Sequence, residues 1–189
     1  QRDGVQRSLA DFIAPGQAPC DYLGCFAVAV HGIDPLADHQ VAEGDDYQAI
    51  LIKAVGDRLA EALAEWLHQK VRRETWAYAP EESLSNAALI KEQYQGIRPA
   101  PGYPACPDHL DKKQIWTLLD AENTVEATLT ETLAMQPASA VSGYYFAHPE
   151  SRYLGVGLIA DDQIQSLARR RGIPLESMKR WLSANLLDA

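Results

Sequence analysis

Apolar residues recur every four positions at Leu51, Val55, Leu59, Leu63 and Leu67, with Ile52 and Trp66 widening the stripe. This spacing predicts a long helix running from residue 45 to about residue 73, with that side packed on a core. Asp45 and Asp46 supply an N-terminal cap and favourable dipole charge, and Lys70, Arg72 and Arg73 sit at the electronegative end. At ~1.5 Å per residue such a helix is roughly 40 Å long. Residues 22–30 form an apolar, partly β-branched run closed by His31-Gly32, which predicts a buried strand. Residues 8–16 end in Pro and Gly and read as a short strand or turn.

Further along, Ser85-Asn86 opens a shorter helix through Gln95, stopped by Gly96, and residues 110–119 resume a helix with Ile115, Trp116 and Leu119 inward. Residues 127–133, 140–146 and 153–159 are strand candidates, and the turns between them, with Pro137 and His148-Pro149, imply antiparallel pairing. Two helices follow, over residues 161–171 and 174–186. Strands and helices are partly segregated, so the expected class is α+β: an antiparallel twisted sheet with a long helix and several shorter helices packed against it.

Composition narrows the function. With Lys+Arg 17 against Asp+Glu 26 the net charge is −9, which excludes a nonspecific binder of nucleic-acid backbone; a cationic or zwitterionic small ligand is easier to accommodate. The longest apolar stretch, Cys25 to Val30, is too short to span a bilayer, and Gln1-Arg2-Asp3-Gly4 forms no signal peptide, so a cytoplasmic protein with no membrane partner is expected. Cys20, Cys25 and Cys106 make an odd count without framework spacing and read as reduced. No initiator Met is present, which leaves open that Gln1 is a cut point inside a longer polypeptide.

The most informative segment is the loop from Arg98 to His109, where four prolines fix φ and remove donors. Its stiffness points either to preorganisation for a ligand or to a tight packed corner. Arg98 offers a planar fork for a carboxylate or phosphate, Gly102 lets a ligand approach the main chain, and Tyr103 adds a flat face with a polar tip. Cys106 and His109 have a spacing that can chelate zinc, but a structural site wants four ligands and no second pair stands nearby, so no metal is expected. Cys106 reads as a buried, inert thiol rather than a nucleophile. On the long helix Asp57, Glu61 and Glu65 stack at i, i+4 and i+8, as a solvated face or as carboxylates that meet an ammonium or sulfonium group. Most of the aromatics at Tyr144, Tyr145, Phe146 and Tyr153 read as core, with one face able to reach a planar base.

The run Arg98-Pro99-Ala100-Pro101-Gly102-Tyr103-Pro104-Ala105-Cys106-Pro107-Asp108-His109 resembles the signature of the C-terminal activation domain of cobalamin-dependent methionine synthase. Asp45-Asp46-Tyr47, Ala60-Glu61-Ala62, Trp76-Ala77-Tyr78-Ala79-Pro80, Leu84-Ser85-Asn86, Tyr94-Gln95-Gly96-Ile97 and Ser142-Gly143-Tyr144-Tyr145-Phe146 with His148-Pro149 fall in the same order as in that family. The resemblance implies an S-adenosylmethionine-binding module that docks over a cobalamin-binding domain. There it supplies the methyl group when cob(II)alamin is reductively remethylated, with the electron coming from flavodoxin or a flavin reductase.

Carried over by position, Arg98 pairs with the ligand carboxylate, the main chain at Ala100 and Gly102 contacts the ligand, and Tyr103 lines the site near the corrin. Glu61 is the helix carboxylate facing the ligand and Tyr153 a late contacting tyrosine; Leu154 stands where the family often has a second tyrosine, so no side-chain role transfers there. Residues 1–189 match a shorter span than the family domain, which implies one activation domain lacking an N-terminal part that contributes another carboxylate. No catalytic side chain, zinc or folate site is expected, and the isolated chain is not expected to turn over alone. A non-catalytic sensor or interaction protein derived from the same domain is the competing reading.

Overall fold

The computed structural model describes residues 6–16 and 20–187; residues 1–4, read above as forming no signal peptide, lie outside them. At its centre, β1 (Gly24–Ala29) pairs antiparallel with β4 (Ala140–Tyr145), with Phe26 opposite Gly143 and Val28 opposite Val141. Alternation sends Phe26, Val28 and Tyr145 to one face, where Leu63, Ala64 and Leu67 of the long helix α2 (Asp46–Lys70) cover them. Cys25, Ala27 and Tyr144 turn to the other face, against Ile115 and Trp116 of α4 (Asp111–Leu119). The two-stranded ribbon is thus a filling between helices, and both its faces are apolar.

The Asp45 carboxylate caps α2 by accepting from the Gln48 N–H at 2.9 Å. Beyond Lys70 the helix widens into a π-helical turn over Val71–Thr75. The side it buries takes in only the C-terminal end of the leucine stripe, where Leu63 and Leu67 pack on the core. Leu51, Val55 and Leu59 are about half exposed, as is Trp66, whereas Ala49, Gly56, Ala60, Ala64 and His68 are buried. Small residues win that face because the helix axis lies close to its neighbours. A Cβ on Gly56 would stand 2.5 Å from Ser139 Oγ and 2.8 Å from Ile33 of α1 (Ile33–Ala42), a helix with no counterpart among the sequence expectations.

Of the two alternatives for residues 8–16 the structure has the turn, a 3₁₀ turn at Leu9–Phe12. Other expectations also need correction. The helix expected through Gln95 stops early, as α3 (Asn86–Ile90). Within residues 127–133 only β2 (Thr128–Leu129) is a strand, and it pairs with β3 (Met135–Gln136). Residues 153–159 form no strand and join no sheet beyond an isolated bridge from Ile159 to Leu186. β4 therefore takes its partner from the far N-terminal side of the chain rather than from its neighbours in sequence.

A one-turn helix α5 (Ala121–Thr124) follows α4, and the chain closes with α6 (Asp161–Arg171), α7 (Leu175–Trp181) and a short 3₁₀ turn. α6 and α7 enclose their own cluster of Ile164, Ala168, Met178 and Leu182. They are tied back by Arg171, which pairs with Asp108 at 3.0 Å and Asp111 at 2.7 Å. Among the described residues, no helix is long and apolar enough to cross a membrane.

Candidate functional site

The proline-rich loop runs along the second edge of β4. Ile97 and Phe146 exchange backbone hydrogen bonds of 3.0 Å, and the Tyr144 N–H donates to the Pro99 carbonyl at 2.9 Å. Close approach requires the glycine at position 143: a Cβ there would stand 2.6 Å from the Pro99 carbonyl oxygen and 3.3 Å from the Ala100 Cα. Prolines suit this edge because they need no donor partner. The loop then folds on itself. The Gly102 N–H donates to the Cys106 carbonyl at 2.8 Å, and the Cys106 thiol donates to the Ala100 carbonyl at 3.0 Å. Gly102 has φ +98°, and the His109 ring occupies the place of its missing Cβ.

Between this loop and α2 opens a cavity of about 320 Å³, with Glu61, Arg98, Ala100, Tyr103 and Tyr153 on its walls. Ala64, Val141 and Leu154 add apolar surface. Five of the six expected site residues therefore meet around one space. The sixth, Gly102, shapes the turn behind the wall, its N–H already bonded to Cys106. Glu61 forms an exposed ion pair with Arg58 at 2.9 Å and also borders an adjoining space of about 340 Å³ that reaches Asp57, His109 and Lys112. Asp57 accepts a hydrogen bond from the Ser139 hydroxyl at 3.3 Å.

Arg98 is the most constrained side chain of the group. Its backbone N–H donates to the Tyr153 hydroxyl at 3.1 Å. Nη1 donates to the Tyr94 hydroxyl at 2.9 Å and to Nδ1 of His68 at 3.4 Å, and Nη2 lies 2.7 Å from Oε2 of Glu65. Burial works against its charge, but Tyr94 and Glu65 hold its pKa above the ordinary value. A guanidinium carries five N–H donors, so with three engaged two remain without a partner among the described residues. Beside it, the other Glu65 oxygen, Oε1, is shut off from solvent without a partner among the described residues.

Glu65, His68 and Tyr94 were not singled out as partners of Arg98 by sequence reasoning, although for Glu65 and His68 the signal exists. Glu61, Glu65 and His68 stand at i, i+4 and i+7 on α2, one face of a helix; Tyr94 lies in a turn, where its spacing from Arg98 carries no such signal. Cys106 is a different matter. Burial, with Asp111 and Asp108 nearby, pushes its thiol up to about 12, where it is inert as a nucleophile at neutral pH.

The family described as vitamin B12 dependent methionine synthase, activation domain, matches residues 1–172. Among solved structures, the MetH reactivation domain bound to AdoHcy is 51% identical with a TM-score of 0.92. The match covers 96% of this chain and 56% of that one, so the chain spans little more than half of its relative's length. Fold class and loop signature both agree with these likenesses, and the chain belongs to the family of vitamin B12-dependent methionine synthase activation domains.

Proposed function

We propose that the cavity between α2 and the Arg98 loop binds S-adenosylmethionine, and that the chain serves as the reactivation module of a cobalamin-dependent methionine synthase. The observation that carries this reading is the state of Arg98, a fixed guanidinium on a cavity wall with two unused donors. A carboxylate is the group that such a fork pairs with. Glu61, on the same wall, suits the ammonium of the same amino-acid tail. The cavity volume falls within the roughly 300–1,000 Å³ of small-molecule sites. Its apolar lining suits an adenosine moiety, and Tyr103, 64% exposed, gives the mouth a flat face toward a docked partner. The solved relative at 51% identity carries AdoHcy, the demethylated form of the same ligand.

In this role Arg98 orients the ligand tail, Ala100 and Tyr153 bound the site, Gly102 holds the turn behind it, and no residue of the chain needs to move a proton. A cobalamin held by a partner domain would supply the reduced, nucleophilic cobalt that takes the sulfonium methyl group, with flavodoxin or a flavin reductase as electron donor. This chain contributes positioning and exclusion of water. Calorimetric titration of the chain with S-adenosylmethionine tests the reading. Saturable binding at one site is expected, weakened by about 2 kcal/mol or more in Arg98→Ala. Equal affinity in the two proteins would remove Arg98 from the role.

A further inference from the structure

Behind the cavity wall sits a histidine that the reading above leaves without a task. His68, on α2, is completely out of water. Its ring stacks on Tyr145, with centroids 5.1 Å apart and planes 12° from parallel, and meets Tyr94 edge-on at 5.0 Å. Nε2 lies 3.2 Å from the Tyr78 hydroxyl and Nδ1 lies 3.4 Å from Nη1 of Arg98. Arginine can only donate, so Nδ1 is the acceptor and Nε2 carries the hydrogen, given to Tyr78. With one tautomer and rings on two sides, the imidazole cannot turn away from the guanidinium.

We infer that His68 is a positioning residue for the ligand carboxylate: Nδ1, with the Tyr94 hydroxyl and Glu65, holds Arg98 so that its two remaining N–H groups form a fixed fork. The inference rests on the carboxylate pairing proposed above. A neutral acceptor suits the place better than a charged one. Arg98 and Glu65 already cancel in charge, so a second acid would turn the site net negative and repel a carboxylate. A cation would repel Arg98 itself. An imidazole that stays neutral sets direction without changing the charge, and direction is what a bidentate contact depends on.

The test is a ratio of affinities. The 189-residue chain is titrated with S-adenosylhomocysteine and with 5′-methylthioadenosine, which keeps the adenosine and thioether but has no amino-acid tail. His68→Phe keeps the ring packing and removes the acceptor. It is expected to lower the ratio about tenfold, the scale of a hydrogen bond to a charged group, while methylthioadenosine binding changes little. His68→Asn, whose Oδ1 stands where Nδ1 stood, is expected to restore most of the ratio even though its smaller side chain lowers the melting temperature. Should His68→Phe not fold, His68→Leu, which has no side-chain acceptor, carries the same comparison. An unchanged ratio in these acceptor-less variants, alongside a lowered one in Arg98→Ala, overturns the role of His68. If Arg98→Ala also leaves the ratio unchanged, the carboxylate pairing itself is wrong.

Discussion

Arg72 and Glu82 meet through two parallel hydrogen bonds of 2.6 Å, Nε to Oε2 and Nη2 to Oε1, with both side chains withdrawn from water. The guanidinium also lies 4.1 Å from the centre of the Tyr94 ring, whose hydroxyl holds Arg98. The pair therefore pins the segment after the π-helical turn to the helix and supports the wall behind the cavity. Glu82→Gln leaves a buried cation without its counter-charge, and a destabilisation of about 3–5 kcal/mol is expected. Replacing both partners together, as Arg72→Met with Glu82→Leu, should cost less than the single change, because no uncompensated charge remains. Urea unfolding of the three proteins checks the order.

Gly102 is predicted to tolerate no side chain. Its φ of +98° strains any L-residue by about 1–2 kcal/mol, and the His109 ring fills the Cβ position. Gly172, at φ +66°, has nothing within 4 Å of its Cβ position, so Gly172→Ala measures the backbone strain alone. The Gly102→Ala variant should melt below Gly172→Ala and bind S-adenosylhomocysteine more weakly, since the loop that carries Arg98 and Ala100 must shift. Thermal melts paired with titration separate the two effects.

Elements fixed by local chemistry were legible in the sequence, and those fixed by partners distant in the chain were not. The cap at Asp45, the run at residues 24–29 and the helix at residues 111–119 declare themselves through nearby residues. Residues 153–159 have the same β-rich composition as a strand, yet β4 has β1 on one edge and the Arg98 loop on the other, so no edge is left for them. The N-terminal half of the α2 stripe was misread for a related reason. Periodicity finds apolar stripes, but close packing selects small side chains, and Ala60, Ala64 and Gly56 give a weaker signal than five leucines and valines. At the site, the loop signature located residues that line the cavity. The shared helix face of Glu65 and His68 was readable, but that this face and Tyr94 stand behind Arg98 follows only from the fold that brings α2, Tyr94 and the loop together.

That reversal on α2 has a measurable consequence. Leu51→Lys and Leu59→Lys, on the exposed stripe, should change the stability of this chain by no more than about 0.5 kcal/mol. Ala60→Leu and Ala64→Leu add only apolar volume but to a filled interface, and each should cost about 1–3 kcal/mol. Denaturant midpoints that ranked the four variants the other way would mean that α2 is rotated from the orientation described.

The neutrality of His68 makes stability depend on acid. Burial, followed by the charges of Arg72 and Arg98, lowers its pKa from 6.5 to about 2. Below pH 6.5 the unfolded chain binds a proton at this position that the folded chain refuses. Unfolding therefore takes up a proton, and stability rises with pH through that interval. The contribution is complete above the unfolded pKa and is lost as pH falls toward the folded one, at about 1.4 kcal/mol per pH unit once well below 6.5. Asp108 works in the opposite sense. Burial raises its pKa despite the nearby Arg171, so it favours the folded state as it protonates, and total stability mixes the two effects. The difference between this chain and His68→Gln isolates the histidine. Urea unfolding at pH 7 and pH 5 should show the parent losing roughly 1–2 kcal/mol more than the variant over that interval. Identical losses in both would mean that the ring takes up a proton in the folded state, which would break the acceptor geometry at Arg98.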